Sequence, residues 1–385
     1  MEIKGELVLK SGREASIESF HPWIFSGGIK SKPGNIIDGD WVSVCESNGK
    51  VLGFGHFQNG SIAVRILSFG PEKPDSSLYE IKIRKAFQLR NTIHVISPTT
   101  NCYRLIHGEA DGLPGLIVDV YNKVAVVQAH SDGMHNDKAL ISESILKAVP
   151  INAVYFKSQH DSGSEYLIGS ESTPHEVLEN GNRFLVDWQL GQKTGFFLDQ
   201  RENRKLLSEF SNGKKVLNTF CYTGGFSVYA VRSGAQFVHS VDASEKAIEL
   251  CKQNLILNGN DISQHECFIA DIFDYFKSSQ EKYNLIILDP PAFAKHREAR
   301  HQAMKGYQRL NAEAIKRIDS GGIIFTFSCS QVVDRKLFYD TVMSAAIQAG
   351  RDVKVLSHLS QPADHPVSAF HPEGEYLKGL VLYVA

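Results

Sequence analysis

The strongest constraint on the fold is a strict alternation of short apolar strands with helical stretches beyond Trp188. A helix is predicted over Ser244–Asn258, where apolar residues recur at helical spacing. Strand, helix, strand in regular succession is typical of an α/β domain with a doubly wound, mostly parallel sheet. The predicted strands are Val216–Phe220, Phe237–Val241, Glu266–Ala270, Asn284–Leu288 and Gly322–Phe327.

Two further domains are expected ahead of this one, because a chain of 385 residues exceeds the usual size of one hydrophobic core. Residues 1–71 alternate short β-type runs with Gly, Asn and Pro turns, which predicts a small β-barrel or sandwich. Pro71 and Pro74 indicate a linker, and residues 72–187 carry both strand and helix patterns, which predicts a middle α+β domain. The predicted domains are therefore 1–71, 72–187 and 188–385.

Bulk composition excludes several classes of protein. The net charge is −2, so any surface that binds nucleic acid must be local. The chain has no apolar run long enough for a membrane span or a secretory signal, so we expect a cytoplasmic protein without a membrane partner. The six cysteines form no C-x-x-C pair and the histidines no H-E-x-x-H pattern, so no metal is predicted.

Aspartates follow three successive strands of the predicted sheet. Asp242, Asp271 and Asp289 close the second, third and fourth strands, and the first strand leads into the glycine-containing loop Asn218–Phe226. Ligands of open α/β sheets bind at the carboxyl ends of the strands, so this pattern predicts a nucleoside-containing cofactor. Asp242 would accept hydrogen bonds from ribose hydroxyls, and Asp271 from an adenine amino group. The alternative for each aspartate is a cap on the following helix.

The fourth and fifth strands end in residues that suit catalysis on a nucleic-acid base. The string Asp289–Phe293 reads Asp-Pro-Pro-Ala-Phe, which is typical of nucleic-acid methyltransferases. Cys329 follows the fifth strand and would lie beside Asp289 if the two strands are neighbours. A thiolate there could add to carbon 6 of a cytosine and make carbon 5 nucleophilic. A buried core cysteine is the other interpretation, and Cys221 in the first loop is assigned to packing.

Basic residues follow the fourth strand, where an extruded base would enter. The predicted RNA contacts are Phe293, Lys295, Arg297 and Arg300, with Lys305 and Arg309 farther along the same stretch. A solvated helix face explains these charges equally well. Near the amino terminus, His21, Trp23 and Phe25 are interpreted as barrel core in preference to an RNA-binding platform.

Several long strings resemble one family, the RlmI-type 23S rRNA (cytosine-C5) methyltransferases, over essentially the whole chain. His21–Ser26 resembles the start of that family's PUA RNA-binding domain, and Arg104–Gly115 a motif of its middle domain. The resemblance implies a Rossmann-like class I methyltransferase domain that uses S-adenosylmethionine (SAM). The other strings that carry the resemblance are Gly191–Arg201, Asn218–Phe226, Asp289–Phe293, Ser328–Ser330 and Pro372–Lys378.

The resemblance also implies site residues. Cys329 would be the nucleophile and Asp289 would contact the target base. Ala292 and Phe293 stand where a two-cysteine branch of cytosine-C5 enzymes carries its second cysteine, so that route of product release is absent. Asp199 and Glu202 also have the spacing of a helix cap. The implied cofactor residues are Gln192, Thr194, Phe197, Asp199, Gln200, Asn218, Phe220, Tyr222, Gly224, Asp242, Asp271 and Asp289.

The predicted function is therefore formation of 5-methylcytidine in 23S rRNA or a large-subunit precursor, through a covalent adduct with Cys329. An exocyclic amino methyltransferase is the nearest alternative, since Asp289 and Phe293 could hold an amine. A non-catalytic rRNA-binding assembly factor is the alternative of another class. The sequence leaves open the modified nucleotide, the base that removes the carbon-5 proton, and whether the chain forms a homodimer.

Overall fold

The computed structural model describes residues 1–158, 163–259, 264–294 and 296–385. The chain divides into two compact units. The first comprises Met1–Val177, Val186–Phe196 and Ala363–Gly374, and the second comprises Leu178–Leu185, Phe197–Pro362 and Glu375–Ala385.

The amino-terminal part of the first unit is a mostly antiparallel sheet. Its spatial order is β2-β6-β5-β4-β1-β3, and the pairing of β1 with β4 is parallel. Alternate side chains such as Leu7, Val44 and Ile66 are buried in its core, as expected for strands that cover one face of a barrel. The strands are β1 (Gly5–Leu9), β2 (Trp23–Phe25), β3 (Ile29–Ser31), β4 (Trp41–Cys45), β5 (Val51–Phe57) and β6 (Ile62–Phe69), with the short helix α1 (Ala15–Glu18) between β1 and β2.

A second sheet with helices against it completes the first unit. Its spatial order is β11-β10-β9-β8-β7. Ile83 of α2 and Ile145 of α4 are fully buried in the core beneath it. The elements are α2 (Leu78–Thr92), β7 (Cys102–His107), β8 (Leu116–Tyr121), β9 (Val124–Ala129), α3 (Asp132–Asn136), α4 (Lys138–Ala148), β10 (Ala153–Phe156) and β11 (Glu165–Ile168).

A partly buried carboxylate links the two sheets of the first unit. Asp137 Oδ2 accepts hydrogen bonds from Trp41 Nε1 at 2.9 Å and Tyr79 OH at 2.5 Å. The same oxygen lies 3.1 Å from His56 Nε2. Trp41 belongs to β4 and Tyr79 to α2, and both are buried in one hydrophobic cluster. The predicted first and second domains therefore share a core.

The second unit contains a seven-strand sheet within the part of the chain that the structure describes. Its order is β16-β15-β14-β17-β18-β20-β19. The first five strands in this order run parallel, and β20 is antiparallel to both of its neighbours. The strands are β14 (Lys215–Thr219), β15 (Phe237–Asp242), β16 (His265–Ile269), β17 (Tyr283–Leu288), β18 (Ile318–Ser328), β19 (Val353–Ser360) and β20 (Lys378–Val384), and β12 (His175–Glu179) pairs with β13 (Asn182–Val186) in a separate hairpin.

The order of these strands reverses between β14 and β17. The chain runs outward from β14 through β15 to β16, then returns to place β17 on the other side of β14. Such a switch point opens a crevice at the carboxyl ends of the strands, where ligands of doubly wound sheets bind. The helices of this unit are α5 (Arg201–Ser211), α6 (Gly225–Arg232), α7 (Glu245–Leu257), α8 (Ile272–Ser278), α9 (Arg300–Arg317) and α10 (Arg335–Ala349).

The predicted fold class is confirmed, and the five predicted strands of the last domain lie within about one residue of observed ones except at β18. That strand begins at Ile318, four residues before the predicted Gly322. The predicted boundaries near residues 71 and 187 remain predictions. Among the described residues, every helix is too short or too polar to cross a lipid bilayer.

The interpretation of His21, Trp23 and Phe25 as barrel core is wrong, because none of the three belongs to the buried core of this sheet and His21 and Trp23 are only partly buried. The side chain of Phe25 is 50% exposed, and Ile24 is the residue of β2 that enters the core. Alternation along a strand sends neighbours to opposite faces, so Ile24 and Phe25 cannot both be buried in one core.

Candidate active site

The loop after β14 has an unusual backbone. Phe220, Tyr222 and Gly224 have φ angles of +53°, +47° and +79°. Non-glycine residues rarely adopt this region, and such conformations occur at ligand sites where surrounding contacts hold them. Here the loop is held from β15, since Cys221 N donates to Val241 O at 3.0 Å and Tyr222 N to Asp242 Oδ2 at 2.9 Å. The positive φ angles of the two non-glycine residues, Phe220 and Tyr222, were not predicted from the sequence.

Gly224 lies directly on helix α7. A Cβ atom built on Gly224 would be 2.4 Å from Cys251 Sγ, which is closer than real Cβ contacts. Cys251 is fully buried, and its Sγ lies 3.9 Å from Cys267 Sγ. Cys221 is also buried, which agrees with its assignment to packing. The absence of a side chain at residue 224 thus lets the loop backbone sit close to α7 at the start of α6.

This contact predicts a large effect for Gly224→Ala. We expect a loss of about 2–4 kcal/mol in the free energy of unfolding, because a positive φ and an overpacked Cβ each cost about 1–2 kcal/mol. The measurement is chemical denaturation, together with titration of the cofactor. Gly213→Ala is the matched control, since Gly213 has φ +69° but no atom within 4 Å of its Cβ position. Equal losses in the two variants would mean that Cys251 exerts no steric effect.

Asp242 closes β15 and is oriented by the backbone. Its Oδ2 accepts from Tyr222 N and its Oδ1 from Ser244 N, both at 2.9 Å. Each carboxylate oxygen can accept a second hydrogen bond, so Asp242 keeps the capacity to bind a vicinal diol. It does not cap the next helix, because Ser244 is the N-cap of α7.

Asp271 has the alternative role that the sequence left open. It is the exposed N-cap of α8, and its Oδ1 accepts from Phe273 N at 2.8 Å and Asp274 N at 3.3 Å. Both hydrogen bonds use Oδ1, so the cap leaves acceptor capacity on the same carboxylate. Capping and a contact with an adenine amino group are therefore compatible.

Buried acceptors near the loop also suit a polar ligand. Asn218 is 1% exposed, and its Nδ2 donates to Ser227 Oγ at 2.8 Å. In the described part of the chain, Asn218 Oδ1 and Thr223 Oγ1 are buried without a hydrogen-bond partner. A buried polar atom without a partner costs free energy, so a ligand that supplies donors fits this loop. The loop, Asp242 and these atoms together suit a nucleoside cofactor.

The segment Gln192–Gln200 divides between the two units. Gln192 and Thr194 belong to the first unit, where Thr194 Oγ1 donates to Asp119 Oδ2 at 2.6 Å. In the second unit the Phe197 ring packs edge-on against the Tyr222 ring, with centroids 5.1 Å apart. Gln200 Oε1 accepts from Asn203 Nδ2 at 2.6 Å.

The cap predicted from Asp199 and Glu202 is wrong. Gln200 is the N-cap of α5, and no side chain caps that helix end. Asp199 Oδ2 instead accepts a hydrogen bond from Tyr376 OH at 2.6 Å. The spacing of Asp199 and Glu202 imitates a capping box, but the short 3₁₀ turn Leu198–Gln200 delays the start of α5.

Asp289 and Cys329 follow neighbouring strands, as predicted. β17 and β18 are parallel, with Leu288 opposite Thr326, so both residues emerge at the same edge of the sheet. Both side chains are half-buried. Burial raises the pKa of Tyr307 to about 12, and the charges of Cys329 and Asp289 act in the same direction. The pKa of Tyr307, a residue of α9, is therefore affected by both groups.

The turn that carries Cys329 is fixed from two sides. Ser330 Oγ donates to Ala294 O at 2.7 Å, which ties this turn to the segment after Asp289. Lys378 Nζ donates to Ser330 O and to Val333 O, each at 2.6 Å. Neither Ser330 nor Lys378 was predicted to have a role of its own. A lysine at the start of a strand is normally exposed, so only its flanking apolar residues hinted at burial.

The predicted RNA-binding residues differ in how exposed they are. Arg297 and Arg300 are exposed at the start of α9. Phe293 is half-buried and packs on the Tyr307 ring, with centroids 4.6 Å apart. Arg309, farther along α9, lies 4.2 Å from the centroid of the Phe273 ring. Lys295 lies outside the described residues.

Comparison with known proteins points to one family. A family model described as an S-adenosylmethionine-dependent methyltransferase matches residues 151–370, and a PUA-like domain model matches residues 7–69. The chain is 38% identical to a protein of Aeromonas salmonicida named ribosomal RNA large subunit methyltransferase I, over 98% of each chain. A Klebsiella pneumoniae protein of the same name is 38% identical, again over 98% of each.

Solved structures agree in fold. A chain from Streptococcus mutans has a TM-score of 0.86 and 24% identity, with 100% of both chains covered. A second structure with the same values was crystallised with SAH, the product form of the cofactor.

Proposed function

We propose, since the chain belongs to the SAM-dependent methyltransferases and to the ribosomal RNA large subunit methyltransferase I family, that it forms 5-methylcytidine in 23S rRNA. The observation that carries this proposal is the pair of Asp289 and Cys329 at the ends of adjacent parallel strands. A half-buried thiol and a half-buried carboxylate that follow neighbouring strands, at the edge of the sheet where ligands bind, suit attack on a pyrimidine ring.

An RNA substrate is supported by two observations. The relatives are named for methylation of large-subunit rRNA, and residues 7–69 match a PUA-like domain. Arg297 and Arg300 offer exposed positive charge just beyond the Asp289 strand. We propose that they contact phosphates beside the target base, and that the protein acts in the cytoplasm on rRNA or a large-subunit precursor. Whether the protein forms a homodimer is not tested by these observations and stays a prediction.

SAM supplies an electrophilic methyl group on a sulfonium. In our proposal, Asp242 binds its ribose hydroxyls, and Asp271 binds the adenine amino group through the acceptor capacity that its cap leaves. The backbone from Phe220 to Gly224 lies against the nucleoside. The other proposed cofactor contacts within the second unit are Phe197, Asp199, Gln200, Asn218 and Asp289.

Cys329 makes the target carbon reactive. Its thiolate sulfur bonds to carbon 6 of cytosine, and the electron pair of the 5,6 double bond moves toward carbon 5, which takes the methyl group. A base then takes the carbon-5 proton, the 5,6 double bond re-forms, and the bond from carbon 6 to sulfur breaks to release the thiolate. Asp289 accepts a hydrogen bond from the exocyclic amino group and so holds the ring beside Sγ.

The reaction product tests this proposal. Mass spectrometry of rRNA nucleosides from cells with and without the gene should show loss of one 5-methylcytidine, restored by the wild-type gene. RNA that carries 5-fluorocytidine should give a protein–RNA adduct stable to denaturant, because fluorine cannot leave as a cation and the last step stops. Loss of any other modified base from the deletion strain would contradict the proposal.

A further inference from the structure

A buried lysine stands behind the turn that carries the proposed nucleophile. Lys378 begins β20 and is only 5% exposed. Burial of an ammonium group is costly unless acceptors surround it. Two backbone carbonyls do so here, since Nζ donates to Ser330 O and Val333 O at 2.6 Å each.

The location of Lys378 is fixed by the sheet. β18 and β20 are antiparallel neighbours, and Ser328 is opposite Lys378. Cys329 is the next residue after Ser328, and the two carbonyls that bind Nζ belong to the following turn. The ammonium group therefore binds the segment that carries the thiol. A neutral donor could also bind these two carbonyl groups, so they do not by themselves require a charged residue.

Burial and the neighbouring anionic groups have opposite effects on the pKa of Lys378. Burial lowers the pKa of Lys378 to about 8, while its interaction with Cys329 acts in the opposite direction. Arg335 lowers the pKa further, and Glu375 and Asp334 raise it. The charges of Cys329 and Asp289 both raise the pKa of Tyr307, and the two residues follow neighbouring parallel strands. An anion such as Asp289 disfavours a second negative charge nearby, so a thiolate at Cys329 needs a cation.

We infer that Lys378 is a positioning residue whose ammonium group holds the Ser328–Val333 turn and stabilises the thiolate form of Cys329. The inference rests on the proposed function, because it takes Cys329 as the nucleophile. The cation is present below about pH 8, and its effect on Cys329 fades as the pH rises through the pKa of Lys378. The thiolate is thus favoured around neutral pH, where a free cysteine with a pKa of about 8.5 is mostly protonated.

The test is the pH dependence of alkylation of Cys329 by iodoacetamide, followed by peptide mass spectrometry on the full chain without RNA or SAM. In the wild-type protein we expect a midpoint clearly below about 8.5. In Lys378→Met, which keeps much of the apolar volume but no charge, the midpoint should rise by about one pH unit. Lys378→Arg keeps the charge and should restore most of the wild-type profile. Lys336→Met, on the exposed surface of α10, should leave the midpoint unchanged.

Two results would overturn the inference. One is a wild-type midpoint at or above about 8.5, which needs no variant and so does not depend on whether Lys378→Met folds. The other is a folded Lys378→Met protein with the wild-type midpoint. Failure of the proposed function looks different, because absence of 5-methylcytidine or of the 5-fluorocytidine adduct leaves the alkylation profile of the apoprotein unaffected.

Discussion

Replacement of Cys329 by alanine is expected to lower the rate of methyl transfer by at least about 1,000-fold while SAM still binds normally. The reason is that carbon 5 of cytosine is a poor nucleophile until a covalent bond forms at carbon 6. Cys329 follows β18 at its carboxyl end and lies outside the loop after β14, so its removal should not disturb the nucleoside contacts. Single-turnover transfer of labelled methyl to rRNA, with a parallel SAM titration, measures both quantities.

Cys267→Ala is the matched control for this variant, because Cys267 and Cys329 are the two half-buried cysteines among the described residues. It should retain transfer. If Cys329→Ala also retains transfer, the exocyclic amino route replaces the C5 route, since that reaction needs no covalent adduct. If the wild-type protein binds no SAM, the non-catalytic assembly factor becomes the better interpretation.

The second large effect concerns a buried ion pair between β12 and α5. Glu179 is fully buried, and its two carboxylate oxygens accept from Arg204 Nε at 2.8 Å and Arg204 Nη2 at 2.7 Å. Arg201 Nε lies 3.7 Å away. We expect Glu179→Ala to lower the free energy of unfolding by about 3–5 kcal/mol, because it leaves two buried guanidinium groups without their shared anion.

This variant should also weaken cofactor binding. Arg204 Nη1 donates to Phe197 O at 3.0 Å. The arginine that Glu179 orients therefore also holds the backbone of Phe197, one of the proposed cofactor contacts. Urea denaturation and SAM titration give the two readouts. Glu313→Ala is the control, since Glu313 makes partly exposed ion pairs with Lys316 at 3.7 Å and Arg317 at 3.8 Å and should change stability by about 0.5 kcal/mol or less. If Glu179→Ala lowered the free energy of unfolding by only about 0.5 kcal/mol, the two arginines would have found other partners.

Local sequence predicted much of the catalytic fold. The apolar runs that became β14 to β17 are short and lie between turn residues, which favours strands over helices. The helix predicted over Ser244–Asn258 appears as α7, with Ser244 as its cap. Asp242 and Asp289 could be assigned to one edge of the sheet because parallel strands bring their carboxyl ends together.

Predictions that depended on spacing alone were less secure. Asp199 has the spacing of a cap but binds Tyr376, a residue 177 positions away in the sequence. Asp271 does cap its helix, although the same position also suits a ligand. An aspartate before a helix satisfies both patterns, and only its hydrogen bonds distinguish them.

By itself, the sequence determined the α/β class, the five parallel strands of the large sheet and the side chains that follow them, because hydrophobic periodicity and turn residues act over short distances. The antiparallel strands β19 and β20 were not predicted. The tertiary structure alone decided which distant polar groups are buried together. Glu179 with Arg204, Asp137 with Trp41 and Tyr79, and Lys378 behind Cys329 each join residues from separate elements. The burial that makes these contacts strong arises only when the elements pack, so no local pattern encodes them.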